Sequence, residues 1–443
     1  MKYVIKSPAG GQPAGSYNVM DSGAHGNGTD DDRLHILDAI TAAAGSPVYF
    51  PAGTYLLSTA LTVSANVSFV GGTGLGPANT TAHLKGRVNF GSNGSFTDMK
   101  IGDQDVCALY STSSSNTTFT RCQFRGGGDV GSTDWDNCSV VSIVDYANNL
   151  IFSDCNFERA FGTRTRNCNV FLGPNTNSPT MHDILFERCD FGVSNGVAAG
   201  SIGFNMELYV DASPATRTAG YEEINFEDCL FRKSDTGSHL DYSGCVLSSD
   251  NYTPANGPCH ATGCTFYGDG ADYERYQDLP TGNANNTGNY GGIIIEDGAG
   301  YITVTGNTFY RGAGQSCCME NNRSHGTVSH GGNVFTGNKI LTRDSDRNTG
   351  VTHDAFEYLD VSSDGNTITD NTIICSTLYR PCVYVHGHRN RITGNKLVAE
   401  PGSSWTHVLM LDSGTSGNVV TGNTLIGGHI DDKGSGNTTS PNN

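Results

Sequence analysis

Apolar and polar residues alternate along much of this chain in runs of five or six, each closed by a turn, and one such run recurs. In order it reads FTRCQF, FSDCNF, FERCDF, FEDCLF and ATGCTF, then VTGNTF, FTGNKI, ITDNTI, ITGNKL and VTGNTL. The fixed residue is Cys122, Cys155, Cys189, Cys229 and Cys264, then Asn307, Asn338, Asn371, Asn395 and Asn423, at spacings of 33, 34, 40, 35, 43, 31, 33, 24 and 28. A period of two over so few residues is that of a strand, not a helix. A phrase returning every few tens of residues marks a solenoid, and uneven spacing means that loops bulge between strands without breaking the stack. The pattern predicts an all-β fold, a right-handed single-stranded parallel β-helix of about ten coils. Equivalent residues of successive coils should then lie about 4.8 Å apart. The Cys positions should form one inward ladder, small and apolar, and the Asn positions its amide-bonded continuation.

Near the N-terminus the period changes. Thr29 or Asp30 can cap a helix with an acidic first turn, and Leu34, Leu37 and Ile40 fall on one face. Pro47 to Leu57 then reads as strand, turn, strand. The helix is expected to cover the open end of the core. The organisation expected is residues 1–60 as N-terminal strand and capping helix, 61–430 as the parallel β-helix, and 431–443 as a flexible tail of Gly, Ser, Asn and Thr.

Composition supports a turn-rich solenoid, with 58 glycines in 443 residues and only 16% charged residues. The net charge of −18 comes without a basic stripe, so neither nucleic acid nor an anionic membrane is an expected partner. No apolar run is long enough to span a bilayer. The segment MKYVIKSPAGG lacks the apolar stretch of a signal peptide, which leaves prior removal of a signal or exit inside a virus particle. A second, weaker cysteine set, Cys107, Cys138, Cys168, Cys245, Cys317 and Cys382, is expected to start another strand of each coil. Cys259 with Cys264, and Cys375 with Cys382, are close enough to pair under oxidising conditions. Thiols and imidazoles are not clustered as zinc requires, so no metal and no cofactor are expected.

The segment YNVMDSGAHGNGTDDD, the Ala-rich helix after it and VYFPAGTYLL resemble the N-terminal part of the pectate-lyase-like superfamily of parallel β-helix proteins. The resemblance implies an extracellular or virion-surface protein with polysaccharide as ligand, since relatives include polygalacturonases, polysaccharide lyases, alginate epimerases and phage tailspike depolymerases. It also implies a possible homotrimer. It carries over no catalytic set: His386-Gly387-His388 reverses the Gly-His-Gly of polygalacturonases, and the Asp-Pro-His-His of alginate epimerases is absent.

The residues themselves offer a candidate site. The second strand of each coil tends to end in an acid or a histidine, at Asp145, Asp211, Asp250, Glu296-Asp297, Glu320, Asp360, His386 and Asp412. An Asp there can simply cap a turn. Glu is a poorer turn former and is scarce, at 11 residues, so Glu207, Glu296 and Glu320 call for another explanation. Glycoside hydrolysis needs two carboxyl groups, and adjacent coils would hold them about 5 Å apart. The expected acid and base are Glu296 and Glu320, with Asp250, Asp297 and Glu207 as alternates. The long insertion over residues 267–290 brings Tyr273, Tyr276 and Tyr290 as platforms for sugar rings, and Arg311 and Arg323 supply local cations. Two other readings remain: a lyase, with a base and a cation near Glu320, and a non-catalytic glycan-binding adhesin or structural spike.

Overall fold

The computed structural model describes residues 11–72, 81–103, 107–126, 139–159, 166–173, 181–192, 202–208, 221–232, 245–248, 259–267, 290–296, 301–311, 315–319, 331–342, 359–375, 381–399 and 406–443. Every strand pairing is parallel, and each strand pairs with its equivalent one coil away. The chain is a right-handed parallel β-helix with three flanks. Flank A holds the strands that end in the repeated phrase, such as Met181–Glu187 and Tyr221–Glu227. Flank B holds those that follow the phrase residue, such as Asn156–Arg159 and Thr308–Arg311. Flank C holds the strands that lead up to the acid and histidine positions, such as Ile202–Leu208 and Tyr290–Glu296. Among the described residues flank B is a sheet of fourteen strands, while A and C join into one sheet of twenty-five. They merge because Leu109–Thr120 and Ser139–Ser153 run unbroken round the corner between them.

Fourteen strands on flank B exceed the ten coils read from the phrase. The four extra strands, Asn27–Asp31, Gly53–Leu56, Ala82–Lys85 and Met99–Ile101, come first. Met99 stands where the next coil has Cys122, so the ladder begins one coil before its first cysteine.

The cysteine ladder faces inward, with Cys122, Cys155, Cys189, Cys229 and Cys264 all at most 1% exposed. Each thiol donates to a carbonyl of the preceding coil: Cys155 to Phe119 O at 3.4 Å, Cys189 to Phe152 O and Cys229 to Phe186 O at 3.2 Å. The asparagines do the same with Nδ2, Asn338 to Val304 O and Asn371 to Phe335 O at 2.9 Å. Their Oδ1 atoms also accept the backbone N–H of the preceding ladder residue, as Asn371 does from Asn338 at 2.8 Å. An inward turn would otherwise bury unpaired amides, each a costly loss. Beside this ladder two aromatic stacks run along the axis. Phe157, Phe191, Phe231, Phe266 and Phe309 follow one another with ring centroids 4.6–4.7 Å apart, the inter-strand spacing itself.

The second cysteine set forms no single column. Cys245 and Cys317 align through Ile293, but Val383, not Cys382, occupies that register, and Cys168 aligns with Ser139 and Phe204. Cys138 lies outside the described residues. Cys375 and Cys382 are joined by a disulfide, whereas Cys259 and Cys264 are separate buried thiols.

The helix α1 (Arg33–Ala43) lies against the first strands of flank A. Its buried positions are Ile36, Ala39 and Ala43, while Leu34, expected on the buried face, is 62% exposed. Thr29 and Asp30 do not cap it, because they belong to the preceding strand; the N-cap is Asp32. The Asp32 side chain, fully buried, turns back to accept the amides of His25 and Gly26 at 2.6 and 3.1 Å. That tie holds the GAHG loop against the helix entry. The C-terminal residues, expected as a free tail, instead add part of another coil. Thr438 O accepts from Val420, Pro441 O from Gly422, and Asn442 Oδ1 from Asn423 N at 3.0 Å.

Candidate functional site

The strands of flank C set the geometry of the site. Glu207 sits opposite Phe171 and Val246, and Val246 sits opposite Ile294. Glu296 sits opposite Ser248, two residues further along the strand. Glu207 and Glu296 therefore occupy different columns, and the single acidic stack anticipated from sequence is divided. The division arises because Glu207 lies one residue before the end of its strand and Glu296 is the last of its own. Tyr290 begins the strand that Glu296 ends, about 20 Å away at the ordinary rise per residue. Arg311 belongs to flank B, opposite Thr342. Asp250, Asp297, Glu320, Arg323, Tyr273 and Tyr276 lie outside the described residues.

The Glu296 column can be followed along the solenoid. Ile295, Met319, Val361, Val385 and Leu411 are aligned in successive coils. The residues that follow four of them are Glu296, Ser362, His386 and Asp412. Backbone bonds carry the same register onward, from His386 N to Val361 O, Asp412 N to Val385 O and Lys433 N to Leu411 O. The column thus places Ser362, His386, Asp412 and Lys433 in order beyond Glu296. His386 Nδ1 meets Asp412 Oδ2 at 3.1 Å, and the His386 ring lies 3.9 Å from that of Tyr384, centroid to centroid. Burial would raise the Asp412 pKa, but the Ser413 amide, then His386 and Lys433, outweigh it and hold the carboxyl below its ordinary value. Asp360, one column over, accepts from Ser362 Oγ at 2.8 Å. Asp145 takes a left-handed backbone conformation (φ 65°), as a turn residue does.

Two groups escape a reading by phrase alone. Lys433 joins the Glu296 column, and Tyr384 the neighbouring column of Asp360, only once the strands are in register. On flank A, Asp183 and Glu223 occupy equivalent turn positions of adjacent coils, both at positive φ. They continue a turn ladder in which Asn149 donates to Asn116 and Asn116 to Asn93. The two carboxyls share a hydrogen bond that pushes Glu223 up and, together with His182, holds Asp183 down. Like-charge stacking, expected on flank C, is thus seen on the turns of flank A. Among the described residues no group of three or more His, Cys, Asp or Glu could hold a metal ion, and no helix is long and apolar enough to cross a membrane.

The family profile described as rhamnogalacturonase A/epimerase, pectate lyase-like, matches residues 16–253, more than half of the chain. The chain belongs to that family, one of parallel β-helix proteins that act on polysaccharides. Among individual proteins, mannuronan C5-epimerase AlgE6 of Azotobacter vinelandii is 44% identical over 70 residues, 14% of this chain and 8% of the relative. AlgE4 of the same organism is 53% identical over 47 residues, 10% of this chain and again 8% of the relative. These matches cover less than a tenth of either relative's length. The solved A-module of the Azotobacter vinelandii epimerase AlgE6 superposes over 96% of this chain and 98% of its own, with 16% identity and a TM-score of 0.49.

Proposed function

We propose that this protein degrades an extracellular polysaccharide laid along flank C, cleaving glycosidic bonds with a pair of carboxyl groups. Glu296 and Glu320 are the preferred acid and base, with Asp250, Asp297 and Glu207 as alternates. The observation that carries this reading is the position of Glu296. It ends a flank C strand in a column that continues into Ser362, His386, Asp412 and Lys433, a polar line suited to a polymer. Membership of a polysaccharide-acting family supports the substrate class. A second carboxyl one coil away would stand about 5 Å from Glu296, the separation used by retaining hydrolases. Arg323 would contact the glycan, and Tyr273 and Tyr276 would bed its sugar rings, whereas Arg311, on flank B, and Tyr290, at the opposite end of the strand from Glu296, stand apart from the cleaving pair. The biological setting proposed is a virion surface of the tailspike kind, with three chains side by side.

A second reading, a glycan-binding adhesin without turnover, is favoured by one detail: Asp412 accepts the turn amide of Ser413 at 2.7 Å, as a merely structural acid would. Incubation with a panel of surface polysaccharides separates the readings. New reducing ends establish the hydrolase. New ends together with ultraviolet absorbance of an unsaturated product establish a lyase. Binding without product establishes the adhesin and overturns the enzyme.

A further inference from the structure

In the last coils the outward faces of flanks A and B differ. On flank A the column at the strand ends is Thr336, Thr369, Thr393 and Thr421, polar as contact with water requires. On flank B the outward column is apolar. Ile374, Val398 and Ile426 are in register, and Leu341 stands one coil earlier, following Ile340 as Ile374 follows Ile373. The core does not need them, because Ile340, Ile373 and Leu397 fill it from the same strands. Leu341 and Val398 are partly exposed, and Ile426 is 44% exposed. A row of apolar side chains facing water is a cost unless a partner covers it. Charge is unusual here as well. The last seven described strands of flank B, from Leu230–Arg232 to Thr424–Ile426, hold no aspartate or glutamate. Lys339 and Lys396 stand exposed beside the apolar column, two coils or about 10 Å apart. Among the described residues neither is ion-paired with an acid, in a chain with 44 acidic against 26 basic residues.

We propose that this part of flank B is an interface, packed in solution against an acid-bearing surface of a second copy of the same chain. Leu341, Val398 and Ile426 supply the apolar contact, and Lys339 and Lys396 meet carboxylates of the neighbour. Two features select a second copy as the occupant. Its net charge of −18 is the complement of a strip that has cations and no acids. Its coils also repeat at the same inter-strand spacing, so successive side chains of one copy meet successive side chains of the other. A cationic, apolar strip cannot match itself, so the contact joins two different surfaces, and contacts of that kind close into rings. The inference gives the side-by-side arrangement of three chains proposed above its contact face, and it rests on that arrangement rather than on cleavage at Glu296.

The test is sedimentation of the full chain across the micromolar range, at low and high salt, together with zero-length carbodiimide cross-linking of a mixture of isotopically light and heavy copies. The wild type should self-associate, more weakly at high salt. Peptides carrying Lys339 or Lys396 should be joined to Asp or Glu peptides of the other isotopic label. Association should weaken roughly tenfold or more in Val398→Glu and in the double variant Lys339→Glu with Lys396→Glu, and much less in Val398→Thr, which keeps the shape. Melting curves check that each variant is folded. A monomer at every concentration would overturn the interface, and so would a monomer that uses this strip to bind oligogalacturonate. Association undiminished in Val398→Glu, or cross-links between copies that avoid both lysines, would overturn flank B as the contact face. A monomer that degrades a polysaccharide overturns the interface and leaves the enzyme; assembly through flank B without product from any polysaccharide overturns the enzyme and leaves the interface standing.

Discussion

Asn307 stands directly behind Cys264 in the inward ladder and accepts the Cys264 backbone N–H on its Oδ1 at 2.7 Å. The two side chains do the same service with different atoms. The Cys264 thiol donates to Phe226 O at 3.5 Å, and Asn307 Nδ2 donates to Ala261 O at 2.9 Å. Asparagine adds an acceptor that cysteine lacks. Replacing an interior asparagine therefore strands a backbone amide. Asn371→Ala leaves the Asn338 amide unpaired, which costs about 1–3 kcal/mol, and removes the side-chain donor to the Phe335 carbonyl. Asn371→Cys restores only the donor and should fall between wild type and alanine. Denaturant unfolding reads the order, and equal stability of all three would contradict it.

The aromatic stack should be as sensitive. Phe191 is fully buried, 4.7 Å from both Phe157 and Phe231. Phe191→Ala opens a cavity between coils and should cost about 3–5 kcal/mol, read in the same unfolding measurement. Phe191→Leu, which refills most of the space, should cost clearly less.

Much of this core is legible in the sequence, because the residue that recurs in each coil also bonds between coils. The parts that escaped have physical reasons. Asn333, Asn366, Asn390, Asn418 and Asn437 form a second amide ladder, each accepting the backbone N–H of the preceding coil. They stand five residues before Asn338, Asn371, Asn395, Asn423 and Asn442, a spacing that was open to view but lies ahead of the phrase. Met99 is chemically unlike Cys122, so the earlier coils carry no shared letter. The helix face was misjudged at Leu34 because Ile36, Ala39 and Ala43 suffice to fill the end of the core. The flank C columns could not be read, since loops of unequal length separate the strands and only pairing fixes which acids align.

Stability should depend on acid pH with a definite sign. Asp31 is held below its ordinary pKa by the Ser58 hydroxyl first, Glu187 by the Ser153 hydroxyl and Arg188, Asp183 by Glu223 and His182. In Asp412 the pull of burial is outweighed by the Ser413 amide and His386. A carboxyl lowered on folding stabilises the fold above its unfolded pKa, and that contribution is lost as pH falls through the lower folded value. Glu223, raised by Asp183, acts in the opposite sense and offsets part of it. The melting temperature should hold from neutral pH to about 5 and fall steadily below about 4. A melting temperature that rises on acidification through that window would contradict the assignment.

Three of the buried thiols, Cys122 and Cys189 of the ladder and Cys259 beside it, should be inert in the native state. Burial pushes Cys122 and Cys189 well above the ordinary thiol range and Cys259 up to about 12, so little reactive thiolate forms. Alkylation followed by peptide mapping should leave Cys122, Cys189 and Cys259 unmodified until denaturant is added. Rapid native labelling at these positions would mean that the inward ladder opens.

The most direct measurement of the proposed function compares Glu296→Gln and Glu320→Gln with the wild type on a polysaccharide that the wild type degrades, scoring reducing ends and melting temperature together. Each substitution should reduce turnover by at least about a hundredfold, the lower range for a lost acid or base, while the melting temperature stays within a few degrees of wild type. Full activity per folded molecule in both variants would contradict the account and remove Glu296 and Glu320 from the site.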